Sequence, residues 1–117
     1  MLTIRQNQMS VFSELEVQRF EEWMMVHLKK FFPQRCRAAG TAEIRELVRH
    51  GIERAEAHGF TAKREVCKYI DLMMVFGRDF DDDPRFPWAS SILSKKRLPA
   101  PKMQSLQGAA QKHLKAS

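Results

Sequence analysis

Four aspartates lie within residues 78–88 of this 117-residue chain, here named the acidic loop, and their carboxylates suggest a calcium site. Three of them match the spacing of the first three ligands in an EF-hand calcium loop: Asp79, Asp81 and Asp83. The match ends there, because Pro84 stands where the motif needs glycine and Ser90 where it needs glutamate. The pattern favours a turn in which Asp side chains accept hydrogen bonds from nearby backbone N–H groups, and we expect no metal at this loop.

The acidic loop also carries two prolines and three large aromatic side chains. The prolines restrict the backbone, which favours rings folded back onto the helices. The alternative is that the rings contact a partner, since such side chains dominate the energetics of many interfaces once they are exposed. We therefore predict a partner-binding surface formed by Asp79, Phe80, Asp81, Asp82, Asp83, Phe86 and Trp88.

Histidine and cysteine show no pattern of a metal site or a catalytic set. The four histidines form no HxxxH or HExxH pair, and neither Cys36 nor Cys67 belongs to a CxxC pattern, so the sequence predicts no zinc site. Cys67 beside an apolar helix face is typical of a small buried hydrophobe. His27 is interpreted as a residue at the edge of the core with one hydrogen bond. We predict no catalytic residue, no metal and no cofactor.

Apolar residues recur at helical spacing along nearly the whole chain, and alternating runs typical of strands are absent. The first helix is predicted from about Arg5 to Phe32, before Pro33, with Met9 and Phe12 extending its apolar face. The rest of that face comprises Phe20, Trp23, Met24, His27, Leu28 and Phe31.

Two further helices are predicted after Thr41 and after Thr61, because threonine is suited to cap a helix N-terminus. The first of these ends at Gly59, and its apolar stripe comprises Ile44, Leu47, Val48, Gly51, Ile52 and Ala55. A glycine inside a helix costs about 1 kcal/mol relative to alanine, so Gly51 indicates that another helix crosses closely there. The other has an apolar face of Val66, Tyr69, Ile70, Met73, Met74 and Gly77.

Two short or weaker helices are predicted in the C-terminal part of the chain. Pro87 can open a short helix that ends near Leu93, and residues 102–115 are only weakly amphipathic. The predicted fold class is all-α: a small helical bundle of three main helices plus two short or weaker C-terminal helices. Residues 1–94 are predicted as the bundle domain, and residues 95–117 as a basic C-terminal tail or weak helix.

Methionine occurs in two doublets, Met24-Met25 and Met73-Met74. Successive side chains on a helix point about 100° apart, so one member can enter the core while its neighbour turns away. Adaptable core filling accounts for both doublets. The alternative is a soft apolar groove for a partner helix, formed by Met25 and Met74.

The formal charge of +6 comes wholly from residues 95–117, which carry six Lys or Arg and no acid. Residues 1–94 are nearly neutral and the basic residues lie after them, which is not the charge distribution typical of a basic groove or recognition helix. Nucleic-acid binding through Lys95–Lys115 is therefore the less favoured alternative. No apolar run approaches the roughly 18 residues that span a bilayer. No signal peptide is visible. These features predict a cytoplasmic protein with no membrane association.

Three stretches of the chain resemble a known group of proteins. They are Leu2-Thr3-Ile4-Arg5 with Gln8-Met9, residues 50–55, and residues 69–81 leading to Pro87-Trp88-Ala89. Together they are similar to small helical proteins encoded beside spike and effector genes of bacterial type VI secretion systems, over roughly residues 2–94. The resemblance implies a non-catalytic adaptor or chaperone-like factor that binds an effector or spike-associated protein before export. A toxin-neutralising role and self-association into a homo-oligomer stay open, and the group brings no active site to this chain.

Overall fold

The computed structural model describes residues 13–116, and this part of the chain is all-helical, with 81% of it in helix and no strand. The α-helices are α1 (Glu14–Phe31), α2 (Pro33–Ala39), α3 (Thr41–Ala57), α4 (Lys63–Phe76), α5 (Pro87–Leu93) and α6 (Pro99–Ala116). A 3₁₀ turn at Phe80–Asp82 lies between α4 and α5. The all-α prediction is confirmed. The described helices do not follow the predicted split of three and two, since four of them have 14 to 18 residues and two have seven.

Helix α1 begins directly after Ser13, which forms a capping box with Glu16. The Glu16 N–H donates to Ser13 Oγ at 3.1 Å, and the Ser13 N–H donates to Glu16 Oε1 at 3.0 Å. Each side chain thereby satisfies a backbone N–H that the helix leaves unpaired. The predicted start near Arg5, together with Met9 and Phe12, lies outside the described residues.

Two predicted helix caps are wrong by one residue. Thr41 is the first residue of α3, and Gly40 is the N-cap at a φ of 90°, because the turn from α2 into α3 needs a positive φ that suits glycine. Ala62 is the N-cap of α4 in place of Thr61. The preceding connection is fixed by Phe60, whose ring is fully buried and whose N–H donates to Ala55 O at 2.9 Å.

One hydrophobic core runs through the bundle. Its fully buried side chains include Met24, Leu28, Val48, Phe60, Val66, Tyr69, Ile70, Met73, Phe80, Met103 and Leu106. Helices α3 and α4 cross closely at Gly51, where an added Cβ would stand 2.6 Å from Ile70 Cγ1 and 2.9 Å from Met73 Sδ. The predicted close crossing is confirmed, whereas Leu47 is only partly buried at the edge of the core.

Both members of each methionine doublet are buried, so the apolar groove predicted from Met25 and Met74 is wrong. Helix α1 packs against α2, α3 and α4, and α4 packs against α1, α3 and α6. Side chains that point about 100° apart therefore meet a neighbouring helix in both directions.

The basic C-terminal segment, predicted as a tail or weak helix, forms the 18-residue helix α6. Its Met103, Leu106 and Ala110 are buried in the same core as the other helices. Lys102 is also turned inward: its Nζ donates to His58 O at 2.7 Å, and burial lowers the pKa of its ammonium group. Lys102 is therefore not presented to an external anion.

Candidate functional site

The acidic loop folds back onto the core, which confirms the favoured position of its aromatic rings and corrects the alternative prediction that they form a partner-binding surface. Phe80 is fully buried against Tyr69, with ring centroids 5.2 Å apart, and Phe86 is buried as well. Trp88 is half-buried, and its Nε1–H donates to His113 Nδ1 at 3.3 Å. The rings are shielded from solvent because they pack against aromatic side chains of α4, α5 and α6.

The prediction that Asp81 belongs to the partner-binding surface is also wrong, because Asp81 is only 4% exposed. Its Oδ2 accepts a hydrogen bond from Arg54 Nε at 2.8 Å and lies 2.9 Å from His58 Nε2. Burial by itself raises the pKa of this carboxyl, but the hydrogen bonds from His58 and Arg54 outweigh burial and hold its pKa below the ordinary value. Asp81 therefore anchors the loop to α3.

The other loop carboxylates point to separate neighbours and do not converge on one ion. Asp79 Oδ1 lies 3.2 Å from His50 Nε2. Asp83 Oδ1 accepts a hydrogen bond from the Arg85 N–H at 2.9 Å, and the Arg85 hydrogen bonds lower the pKa of the Asp83 carboxyl. This contact confirms the predicted turn shaped by an aspartate. Asp79 and Asp82 are the exposed acids of the loop.

A cleft of about 630 Å³ opens beside α1 and α4, and we name it the α1–α4 cleft. Its lining comprises Arg19, Phe20, Trp23, Lys63, Arg64, Cys67, Lys68 and Asp71. Trp23 is 54% exposed and stacks on Phe20, with ring centroids 6.2 Å apart. Four cations line the cleft against one carboxylate. The cleft therefore combines aromatic surface with a positively charged rim.

Three side chains converge at the wall of the α1–α4 cleft, where His27 on α1 faces Cys67 and Asp71 on α4. His27 Nε2 lies 2.9 Å from Asp71 Oδ1, 3.3 Å from Asp71 Oδ2 and 3.7 Å from Cys67 Sγ. The His27 ring lies between Trp23 and Phe31, at centroid distances of 5.2 and 4.8 Å. The predicted hydrogen bond of His27 is present, and it joins two helices.

These three groups do not have the geometry of a nucleophile, base and acid set. In such a set the histidine uses one ring nitrogen for the nucleophile and the other for the acid, whereas both groups here lie at Nε2. Burial, followed by the charge of Asp71, raises the pKa of the Cys67 thiol to about 11, which leaves it protonated near neutral pH. Burial also raises the pKa of Asp71, against the opposing hydrogen bond of His27.

No short sequence motif reveals this cluster, because its members come from two helices. The available signal was the spacing of four residues between Cys67 and Asp71, which places both on one face of a helix. Among residues 13–116, His27, Cys67 and Asp71 are the group of side chains whose ligand atoms lie close enough together to hold a metal ion.

A scan against models of protein families and searches of the curated proteins and of the solved structures found no match for this chain. No helix between residues 13 and 116 is both long and apolar enough to cross a lipid bilayer. Function is therefore inferred from the chemistry of the site itself.

Proposed function

We propose that this chain is a non-catalytic protein-binding factor whose α1–α4 cleft accepts an apolar, acidic segment of a partner protein. The observation that carries the proposal is a half-exposed Trp23 beside a rim of four cations. A tryptophan buried on binding supplies much of the affinity of an interface. The cations orient an acidic partner and speed its encounter with the cleft.

Charge complementarity favours a separate partner over two occupants that the chain itself could supply. Residues 1–12 contain apolar residues but no acid, so they do not match the rim. A second copy would offer the acidic loop, whose Phe80 and Phe86 are buried and therefore supply no apolar area. A foreign segment that carries both acids and an exposed apolar side chain satisfies both requirements.

The cellular role we propose is that of an adaptor or chaperone-like factor acting in the cytoplasm on an effector or spike-associated protein of a type VI secretion system. The support for this role is the resemblance of residues 2–94. A toxin-neutralising factor is the alternative within the same class, because it too would bind an acidic, apolar segment of another protein.

Nucleic-acid binding is the second candidate function, and it is favoured only by the basic residues of the rim and of the segment Lys95–Lys115. The inward position of Lys102 removes one cation of α6 from any phosphate-binding surface. Binding to phosphate weakens steeply with salt, whereas an interface with an apolar centre weakens less.

The test begins with co-purification of partners from the native host at two salt concentrations, followed by calorimetry with the purified partner. We expect Trp23→Ala to weaken binding by about 2 kcal/mol, roughly thirtyfold. The double variant Arg64→Glu with Lys68→Glu should slow association, since it reverses the charge of the rim. Asp82→Lys, on the exposed part of the acidic loop, is the matched control and should bind normally. The proposal fails if Asp82→Lys weakens binding and Trp23→Ala does not.

A further inference from the structure

We infer that His27, Cys67 and Asp71 form a binding site for a zinc ion or a similar borderline-soft divalent metal, with a fourth position open to the α1–α4 cleft. No short sequence motif points to this site, because no two of its ligands form a familiar metal-binding motif. The inference is independent of the partner proposed above, since it concerns atoms that are already in place in this chain.

The separations of His27 Nε2 from the other two ligand atoms fit a tetrahedral zinc ion. Bond lengths of about 2.3 Å to sulfur and about 2.0–2.2 Å to nitrogen and oxygen place neighbouring ligand atoms about 3.4–3.6 Å apart. His27 Nε2 lies 3.7 Å from Cys67 Sγ and 3.3 Å from Asp71 Oδ2. All three ligand atoms lie within 4.8 Å of one another. Side-chain movements that bring Cys67 Sγ and the Asp71 oxygen to within about 3.6 Å of each other would complete the ligand set.

The convergence of sulfur and carboxylate on a single ring nitrogen is the feature that a metal explains. A hydrogen-bonded pair needs only His27 and Asp71, and the partly buried thiol at the same Nε2 adds no strong hydrogen bond. Imidazole, thiolate and carboxylate together are a ligand set that suits zinc, whereas magnesium and calcium prefer oxygen ligands alone.

Charge and surroundings are consistent with an ion at this point. Once the thiol loses its proton, Cys67 and Asp71 supply two negative charges, which neutralise a divalent cation beside the basic rim. The stacked ring of Trp23 and the tilted ring of Phe31 hold the imidazole in the orientation that directs Nε2 at the other ligands. Cys67 and Asp71 both line the cleft, so the ion has a path of entry and room for a water as fourth ligand.

Metal binding at this site changes the protonation of the His27 ring and of the Cys67 thiol. In neutral His27 the ring proton moves to Nδ1, so that Nε2 offers its lone pair to the metal. The Cys67 thiol releases its proton to the buffer and binds as thiolate. With His27 neutral and Asp71 ionised, one proton leaves for each metal ion bound.

The experiment is titration of the metal-free full-length protein with Co²⁺, a spectroscopic substitute for Zn²⁺, followed by displacement with Zn²⁺. We expect a thiolate-to-cobalt charge-transfer band at one ion per chain, its loss when Zn²⁺ is added, and release of one proton per ion. Cys67→Ser should abolish the band, and His27→Gln should weaken metal binding at least about tenfold. Circular dichroism of each variant establishes that it is folded.

Cys36→Ser is the matched control, because Cys36 is the other free cysteine, is buried and belongs to no group of metal ligands among the described residues. It should keep the band, and Zn²⁺ but not Mg²⁺ should raise the melting temperature of the wild type. The inference is overturned if millimolar Co²⁺ gives the wild type no charge-transfer band. It is also overturned if the band survives Cys67→Ser, since the metal would then be bound elsewhere.

Discussion

Arg54 on α3 donates a hydrogen bond from Nε to Oδ2 of Asp81 across 2.8 Å, and this ion pair fastens the acidic loop to the body of the bundle. Asp81 is buried, whereas the Arg54 side chain is 37% exposed. Removing the carboxylate would leave a partly desolvated cation beside His58 without its hydrogen-bonded counter-charge. A loop that looks like an acidic surface in the sequence is therefore attached through its most buried acid.

Charge reversal at two neighbouring loop positions should change stability by very different amounts. Asp81→Lys should lower the free energy of unfolding by about 3 kcal/mol, the lower end of the range for breaking a buried pair, because Arg54 keeps some solvent. Asp82→Lys, at an exposed position, should change it by less than about 0.5 kcal/mol. Urea unfolding followed by circular dichroism measures both. Equal stabilities of the two variants would contradict the anchoring role of Asp81.

The Asp81 ion pair should also give the protein a recognisable acid sensitivity. Hydrogen bonds lower the pKa of Asp81 in the folded state below its ordinary value of 3.8, so the unfolded state takes up the proton first as pH falls. The stabilisation is present above the ordinary value and is lost as pH falls through the folded-state value. The stability difference between wild type and Asp81→Asn should therefore shrink from about pH 5 to about pH 2. A difference that stays constant over this range would show that Asp81 ionisation is not linked to folding.

Two glycines in helices provide a matched test of the close crossing of α3 and α4. Gly51→Ala should destabilise the protein by about 1–2 kcal/mol, because its Cβ meets Ile70 Cγ1 at 2.6 Å in a packed core. Gly108→Ala in α6 should stabilise it by about 0.5–1 kcal/mol, since no atom lies within 4 Å of the new Cβ and alanine favours helix. Thermal and urea unfolding of both variants give the comparison. A neutral Gly51→Ala would mean that the two helices are more loosely packed than described.

Replacing each tryptophan by alanine should distinguish a residue that stabilises the fold from one that is available to bind a partner. Trp88 packs against Phe76 and Phe86 and donates to His113, so Trp88→Ala should cost about 2–3 kcal/mol, somewhat less than for a fully buried tryptophan. Trp23 is largely exposed, and Trp23→Ala should cost less than about 1 kcal/mol of stability. Unfolding curves for the two variants measure both losses of stability. A severe loss of stability in Trp23→Ala would place Trp23 in the fold and remove it as a binding residue.

The sequence predicts the parts of this fold that depend on local patterns. Helical periodicity, Pro87 at a helix start and the close crossing at Gly51 can all be read from neighbouring residues. The methionine doublets and α6 could not be predicted in the same way. The burial of both members of a doublet, and the packing of a weakly amphipathic helix, depend on how many neighbours surround each helix.

The candidate site was harder to predict, because distant residues form it. The acidic loop stood out by its local density of aspartates and aromatics, yet the structure buries Phe80, Asp81 and Phe86. The partners of the loop acids recur every four residues along α3 and its C-cap: His50, Arg54 and His58. The pattern can be interpreted only when the loop is placed opposite them. His27 likewise meets Cys67 only through the packing of α1 on α4.

The most direct test of the central claim is site-specific photo-crosslinking in cells of the native host, with a photoreactive residue at position 64 or at position 82. Arg64 lies on the rim of the α1–α4 cleft with a side chain that is 75% exposed, and Asp82 lies on the exposed part of the acidic loop. We predict a covalent adduct with a partner protein from position 64 and none from position 82, with the crosslinked segment rich in acidic and apolar residues. An adduct from position 82 alone, or crosslinking of position 64 only to residues 1–12 of the chain itself, would contradict the claim that the cleft binds a partner.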